Sequence, residues 1–149
     1  AVPWLLPWMP GAGYRAGADL PRKAIEDIRY GFGIAKEIAR LEIGQTVVVK
    51  EGTTLAVEGF EGTDACLERG GGLAGKSGGA VAIKLAKAGH DLRFDIPCIG
   101  PRTVEICARG GIGVLAFEAG MTLLIDREAL EVLARNQSVS LVSVDAELP

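Results

Sequence analysis

The chain has few aromatic residues, a single histidine and no excess of positive charge. Aromatic residues account for 5% of its 149 residues, and the formal net charge at pH 7 is -3. A chain with a negative net charge has no general attraction to the phosphates of nucleic acids. Nucleic acid is therefore not expected among its partners.

Cysteine is also scarce. Cys66, Cys98 and Cys107 are an odd number and include no Cys-x-x-Cys pair, which argues against a disulfide framework and against a zinc site. We interpret them as reduced thiols in a cytoplasmic protein. No apolar run is long enough to cross a membrane, and no basic segment precedes an apolar signal core at the start.

Glycine, by contrast, is plentiful, with 21 residues, in a chain that is 48% hydrophobic and 23% charged. This composition is typical of a folded domain, and the length is enough for one hydrophobic core. Many glycines indicate tight turns or close approaches of the backbone. Gly31 and Gly33 interrupt an amphipathic helix, where either close packing or a ligand contact would explain them.

The apolar pattern predicts strands that alternate with helices. One helix is expected from Asp19, as N-cap, to Gly44, followed by a hairpin over residues 46–58. Further helices are predicted over residues 65–69 (capped by Thr63 or Asp64), 100–109 and 127–135 (capped by Asp126), and further strands over residues 80–85, 114–117, 122–125 and 139–144. The alternation predicts an α/β fold, a mixed sheet with helices packed on it in a single compact domain.

The start of the chain has a different character. Residues 1–10 contain both tryptophans and three prolines, and proline blocks the continuation of a helix. We expect residues 1–18 to be an interdomain linker or docking segment of a longer protein, and residues 19–149 to form the compact domain.

Residues 87–97 concentrate the polar chemistry, since they hold the only histidine, His90, and several charged side chains. If this run is extended, Asp91, Arg93 and Asp95 share one face of it. Two carboxylates beside a guanidinium suit a divalent cation, a phosphate or both. An amphipathic edge strand with a solvated charged face would give the same pattern.

Residues 70–77 match the phosphate-binding pattern GxxxxGK[ST] by letter. That loop requires a strand before it and a helix after it, so that backbone N–H groups face the phosphates. Here the predicted order is inverted, with a helix before and a strand after. We therefore expect a flexible glycine-rich loop over residues 70–79, and a P-loop nucleotide hydrolase is the less favoured alternative.

Several stretches together resemble the C-terminal domain of the LpxI-type UDP-2,3-diacylglucosamine pyrophosphatases. They include Asp27-Ile28-Arg29-Tyr30-Gly31, Ile43-Gly44-Gln45, Ala56-Val57-Glu58-Gly59-Phe60-Glu61-Gly62-Thr63-Asp64, Lys84-Leu85-Ala86-Lys87, Asp91-Leu92-Arg93-Phe94-Asp95-Ile96-Pro97 and Ile99-Gly100-Pro101-Arg102-Thr103-Val104. The likeness runs from about Asp19 to Val144. His90 stands where we would expect glutamine, and Cys66 where methionine is more usual.

The resemblance implies a bacterial hydrolase of lipid A biosynthesis. Such enzymes cleave the pyrophosphate of UDP-2,3-diacylglucosamine to lipid X and UMP with a divalent cation, usually Mg²⁺. It also implies an N-terminal Rossmann-like domain outside this chain, a nucleotide-activated diacylated glucosamine as substrate and peripheral contact with the inner face of the inner membrane. The apolar strip formed by Trp4, Leu5, Leu6, Trp8 and Met9 would favour self-association if it is exposed, so a homodimer is expected. A fragment that binds ligand without turning it over is the alternative from a different class.

The expected site residues follow from the resemblance and from the chemistry of pyrophosphate hydrolysis. Asp91 and Asp95 are the expected catalytic residues, and the same two aspartates with Asp64 are the expected ligands of Mg²⁺. The expected substrate-binding residues are Gln45, Glu61, Gly62, Thr63, Asp64, Arg69, Lys84, Lys87, Arg93, Arg102 and Thr103.

Overall fold

The computed structural model describes residues 3–87 and 96–145. A short 3-10 helix, Pro3–Trp8, precedes the α/β domain. The helices are α1 (Ala24–Arg40), α2 (Thr63–Leu73), α3 (Pro101–Gly110) and α4 (Arg127–Asn136). The strands are β1 (Arg15–Gly17), β2 (Thr46–Lys50), β3 (Thr53–Val57), β4 (Ala80–Lys84), β5 (Cys98–Ile99), β6 (Ile112–Glu118), β7 (Leu123–Leu124) and β8 (Ser140–Val144).

Six of these strands form one mixed sheet in the order β1-β8-β6-β4-β2-β3. Its centre is parallel, since β6 pairs with β4 on one side and β8 on the other in the same direction. The pairings of β1 with β8, of β2 with β4 and of β2 with β3 are antiparallel. β5 and β7 form a separate parallel pair. The predicted mixed α/β sheet in a single compact domain is confirmed.

Helices cover both faces of the sheet. Val47 and Val49 of β2 pack in one apolar cluster with Ile28 and Ile38 of α1. Val48, between them, packs in the other cluster with Leu67 of α2 and with side chains of α3 and α4. This division follows from the alternation of side chains along a strand. The result is a three-layer domain whose parallel strands are buried on both sides.

The ends of α1 differ from the prediction. Asp19 is not the N-cap, because the Ala24 N–H group donates to the Pro21 carbonyl oxygen at 3.0 Å and residues 21–23 form a turn before the helix. The helix also ends before Gly44. Glu42 adopts a left-handed conformation with φ of 58°, and the Ile43 N–H group donates to the Ile38 carbonyl oxygen at 2.8 Å, which closes the last turn.

The glycine-rich run is partly helical, which corrects the prediction of a loop over residues 70–79. α2 continues to Leu73 because Gly70 and Gly71 let it approach its neighbours closely. A Cβ atom on Gly70 would clash with Val48 of β2, and one on Gly71 would clash with the backbone of Gly110. The order is helix, turn and strand, so these residues do not form a P-loop.

Two predicted helix caps also need correction. The N-cap of α2 is Gly62, with φ of 92° and no side-chain cap, so neither Thr63 nor Asp64 caps this helix. Asp126 occupies the N-cap position of α4 as predicted, but its side chain makes no capping hydrogen bond. The left-handed backbone of Asp126, with φ of 51°, differs from the extended conformation of a capping residue.

The two glycines inside α1 have different environments. A Cβ atom on Gly31 would clash with the Ile83 side chain of β4, whereas one on Gly33 would have no neighbour within 4 Å. Gly31 therefore permits the close packing of α1 on the sheet. That is one of the two explanations open from the sequence.

The 3-10 helix at the start of the chain contacts β7. Met9 is buried, and the Gly120 N–H group donates to the Pro10 carbonyl oxygen at 2.8 Å. Trp4 and Trp8 remain 72% and 54% exposed. None of the helices among the described residues combines the length and the apolar character needed to cross a bilayer.

Candidate active site

Most of the predicted site residues that the structure describes lie around the carboxyl end of β4. Lys84 ends this strand and pairs across the sheet with Thr46 at the start of β2. The start of α2 adjoins Thr46, since the Thr46 and Thr63 hydroxyl oxygens are 3.2 Å apart. β5 also adjoins Lys84, whose ammonium group donates to the Cys98 carbonyl oxygen at 3.2 Å. The carboxyl edge of parallel strands is the usual place for a ligand site in an α/β sheet.

Two helices begin at this edge, and an ion pair joins them. Nε of Arg102, in the first turn of α3, lies 3.2 Å from Oδ2 of Asp64, in the first turn of α2. The N-caps of both helices, Gly62 and Gly100, have no side chain that could cap them. The N-terminal turns therefore present backbone N–H groups and the positive ends of two helix dipoles at one place. Such an arrangement favours a negatively charged ligand.

A chain of hydrogen bonds underlies the start of α2. The Thr63 hydroxyl group donates to Oε1 of Glu58 at 3.0 Å, and Thr46 lies on its other side. Thr46 is fully buried and Glu58 is 8% exposed. The sequence interpretation did not select Glu58 or Thr46. The only signal for Glu58 was its place within residues 56–64, a stretch that resembles the family.

Arg69 and Glu61 bind each other beside this chain. The Arg69 guanidinium group donates to both carboxylate oxygens of Glu61 and, at 3.0 Å, to the Val57 carbonyl oxygen. The hydrogen bond from Arg69 is the largest cause that lowers the pKa of Glu61. Glu61 therefore stays ionised at neutral pH, and it is a poor candidate for a general acid.

The remaining predicted substrate-binding residues are placed with fewer contacts. Gln45 is half-buried, and its carbonyl oxygen accepts from the Leu85 N–H group at 2.9 Å, next to Lys84. Lys87 is exposed at the last described position before the gap. Thr103 is half-buried in the first turn of α3, where its N–H group donates to the Gly100 carbonyl oxygen at 3.1 Å.

Asp91, Arg93 and Asp95 lie outside the described residues, as does His90. The two predicted catalytic aspartates and two of the three predicted metal ligands are therefore not placed. Within residues 3–87 and 96–145, no group of three or more His, Cys, Asp or Glu side chains could hold a metal ion. Asp64, the predicted ligand inside these ranges, forms the ion pair with Arg102.

A cleft of about 530 Å³ lies at the opposite end of the strands, between the start of α1, the β2–β3 turn and the first residues of β6. Two of its charged side chains, Asp27 and Lys50, are engaged in the fold. The Asp27 carboxylate accepts from the N–H groups of Glu51 and Gly52 at 2.9 Å each, and Lys50 donates to the Ala74 carbonyl oxygen at 2.8 Å. We therefore assign the chemistry to the carboxyl edge and not to this cleft.

The thiols provide a test of the packing at this edge. Burial raises the pKa of Cys66, below Thr46, to about 12, and it raises the pKa of Cys107 to about 12 as well. Because only the thiolate reacts, about one thiol in ten thousand is reactive at pH 8. We expect iodoacetamide at pH 8 to modify the half-buried Cys98 first and to leave Cys66 and Cys107 unmodified, as read by peptide mass spectrometry. Equal labelling of all three in folded protein would contradict the packing, and labelling in urea is the positive control.

The structure is an α/β domain in which two helix N-termini meet at the carboxyl edge of the sheet. The chain belongs to the LpxI C-terminal domain family, which matches residues 11–142. It is 39% identical over 127 residues to the UDP-2,3-diacylglucosamine pyrophosphatase LpxI of Caulobacter vibrioides, a match that covers 81% of this chain and 45% of that protein. The chain thus spans less than half the length of this relative.

Among solved structures, the apo dCMP deaminase of the cyanophage S-TIM5 is similar, with 14% sequence identity and a TM-score of 0.46. The match covers 84% of this chain and all of that structure. A likeness of this size has no bearing on function.

Proposed function

We propose that this domain carries the hydrolytic site of a UDP-2,3-diacylglucosamine pyrophosphatase. The observation that supports this most is the meeting of two uncapped helix N-termini, joined by Arg102 and Asp64, at the carboxyl edge of the sheet. This edge suits a ligand with neighbouring phosphates. Membership of the LpxI C-terminal domain family and the name of the Caulobacter relative direct the proposal to this substrate.

The proposed reaction is hydrolysis of the P–O–P anhydride that joins the two phosphoryl groups. Water adds its oxygen to one phosphorus, the bridging P–O bond breaks, and the products are UMP and lipid X. Lys84, Lys87, Arg93 and Arg102, with backbone N–H groups of α2 and α3, would neutralise and orient the phosphate oxygens. Arg69 would support the site through Glu61, to which it is bound.

Asp91 and Asp95 would hold a divalent cation, with Asp64 as a further ligand once it is released from Arg102. The carboxylate oxygens of these residues are the donors that Mg²⁺ prefers. When bound, the cation would supply stabilisation of the charge that builds up on the phosphoryl oxygens. One of the two aspartates would in addition position or deprotonate the attacking water.

The proposed partners are the N-terminal domain of the family, the membrane that holds the acylated substrate, and a second copy of the protein. In this proposal Trp4 and Trp8, which are exposed beside β7, pack against the N-terminal domain that the family implies. The diacylated substrate would bring the enzyme to the inner face of the membrane as a peripheral protein, and two copies would form a homodimer. A domain that binds the substrate without hydrolysing it is the second candidate, because the chain covers 45% of its relative.

The test is the release of UMP from UDP-2,3-diacylglucosamine, with and without Mg²⁺. The chain alone is compared with a fusion to the N-terminal domain of a family member. Activity of both proteins that EDTA abolishes would support a complete site in this domain. Activity of the fusion alone would place the completion of the site at the interface between the domains. No UMP release from either folded protein would refute the proposed reaction.

A further inference from the structure

Glu58 presents a problem that the proposed reaction does not explain. This carboxylate is 8% exposed at the end of β3, and the structure gives it one side-chain hydrogen bond, from the Thr63 hydroxyl group at 3.0 Å. Within the described part of the chain, no ion pair involves it. Burial of a carboxylate costs free energy unless hydrogen bonds or charges compensate it.

The backbone around Glu58 is held in place by close contacts. Its N–H group donates to the Thr46 carbonyl oxygen at 2.9 Å. A Cβ atom on Gly44 would clash with the Glu58 carbonyl group, so only glycine fits there. The carboxylate is thus aimed at the first residue of α2, where the positive end of the helix dipole compensates its charge.

The direction of the hydrogen bonds follows from the chemistry of the three groups. An ionised carboxylate only accepts, so the single proton of the Thr63 hydroxyl goes to Glu58. The contact between the Thr46 and Thr63 hydroxyl oxygens, at 3.2 Å, must then use the proton of Thr46. The order of donation is Thr46 to Thr63 to Glu58. Thr63 has no proton left for a phosphate.

We propose that Glu58 is a positioning residue, which acts through the Thr63 hydroxyl to fix the first turn of α2 so that its backbone N–H groups meet the ligand's phosphate. This inference rests on the proposed function for its substrate and concerns the same site. It also changes the expected role of Thr63. Residue 63 contributes its backbone, and its hydroxyl is a structural link from the sheet to the helix.

The test is a double-mutant cycle of Glu58→Ala and Thr63→Val. Each single variant is expected to lower kcat about 10- to 100-fold, because a small displacement of a positioning group has effects of this size. The double variant should lose no more kcat than the worse single variant, because both substitutions remove the same hydrogen bond, from Thr63 to Glu58. Glu58→Gln and Thr63→Ser, which keep an acceptor and a hydroxyl, should restore most of kcat. Glu68→Ala, an exposed carboxylate on α2, is the matched control.

Hydrogen exchange gives a readout that needs no substrate. In Glu58→Ala and Thr63→Val the amides of residues 66–68 are expected to exchange at least about tenfold faster, and those of α3 at the unchanged rate. These are the first amides of α2 that have a helical acceptor, since the Cys66 N–H group donates to the Gly62 carbonyl oxygen at 3.2 Å. Unchanged exchange at residues 66–68 would overturn the proposal, and so would a Glu58→Gln variant as inactive as Glu58→Ala. If the variants show faster exchange than the parent protein, but the parent protein itself has no turnover, the proposed reaction fails and the positioning role stands.

Discussion

Replacement of Asp91 by alanine is expected to lower the rate of UMP release about a thousandfold or more. Asp91 is proposed to hold the divalent cation, and metal-assisted stabilisation of phosphoryl charge contributes several kcal/mol to such reactions. Each 1.36 kcal/mol of barrier corresponds to about tenfold in rate. The loss should appear in kcat, because the helix N-termini and the basic side chains still bind the substrate.

The measurement is kcat and KM for UMP release over a range of Mg²⁺ concentrations, in the form of the protein that proves active. Asp95→Ala is expected to have a similar effect, and Asp64→Ala a smaller one. Glu105→Ala, which removes an exposed carboxylate of α3, is the control. Normal turnover of Asp91→Ala with the parent response to Mg²⁺ would refute the catalytic role of Asp91.

Replacement of Gly71 by alanine is expected to destabilise the domain by about 2–3 kcal/mol, within the range for overpacked cores. The added Cβ atom would clash with the carbonyl oxygen of Gly110, at the contact between α2 and α3. A backbone atom cannot move aside as a side chain can, so one helix must shift. The loss is a large part of the 5–15 kcal/mol that typically stabilises a domain.

Gly72→Ala is the matched control, because it makes the same chemical change at the next residue of the same helix. A Cβ atom there meets nothing within 4 Å, and alanine is a better helix former than glycine. We expect this variant to be more stable by about 0.5 kcal/mol. Urea unfolding of both variants measures the two free energies. Equal effects of the two substitutions would contradict the close contact of α2 with α3.

The strands and helices could be predicted from the sequence because their signals are local. Short apolar runs located β2, β4, β6 and β8, and Pro101 after Gly100 located the start of α3. The errors occurred where a distant contact overrides the local pattern. The run of glycines at residues 70–72 suggests a loop, but Val48 and the backbone of Gly110 hold it as a helix.

The candidate site could be predicted only in part. Residues 61–64 and the start of α3 were selected through the family resemblance, and the structure brings them together through Asp64 and Arg102. The positioning role that we propose for Glu58 could not be predicted from the sequence, because a carboxylate next to a strand is usually exposed. The partnership of Arg69 with Glu61 was also not evident, since each residue alone is a plausible phosphate or metal contact.

The sequence by itself determined the α/β class, the order of the α-helices and of the strands other than β1 and β5, and the family, because periodicity and short motifs are properties of neighbouring residues. Only the tertiary structure decided which charges meet, which glycines are needed for close packing, and that Thr46, Thr63 and Glu58 form one chain of hydrogen bonds. The physical reason is that these contacts join β2, β3 and α2, and packing on the sheet fixes their distances.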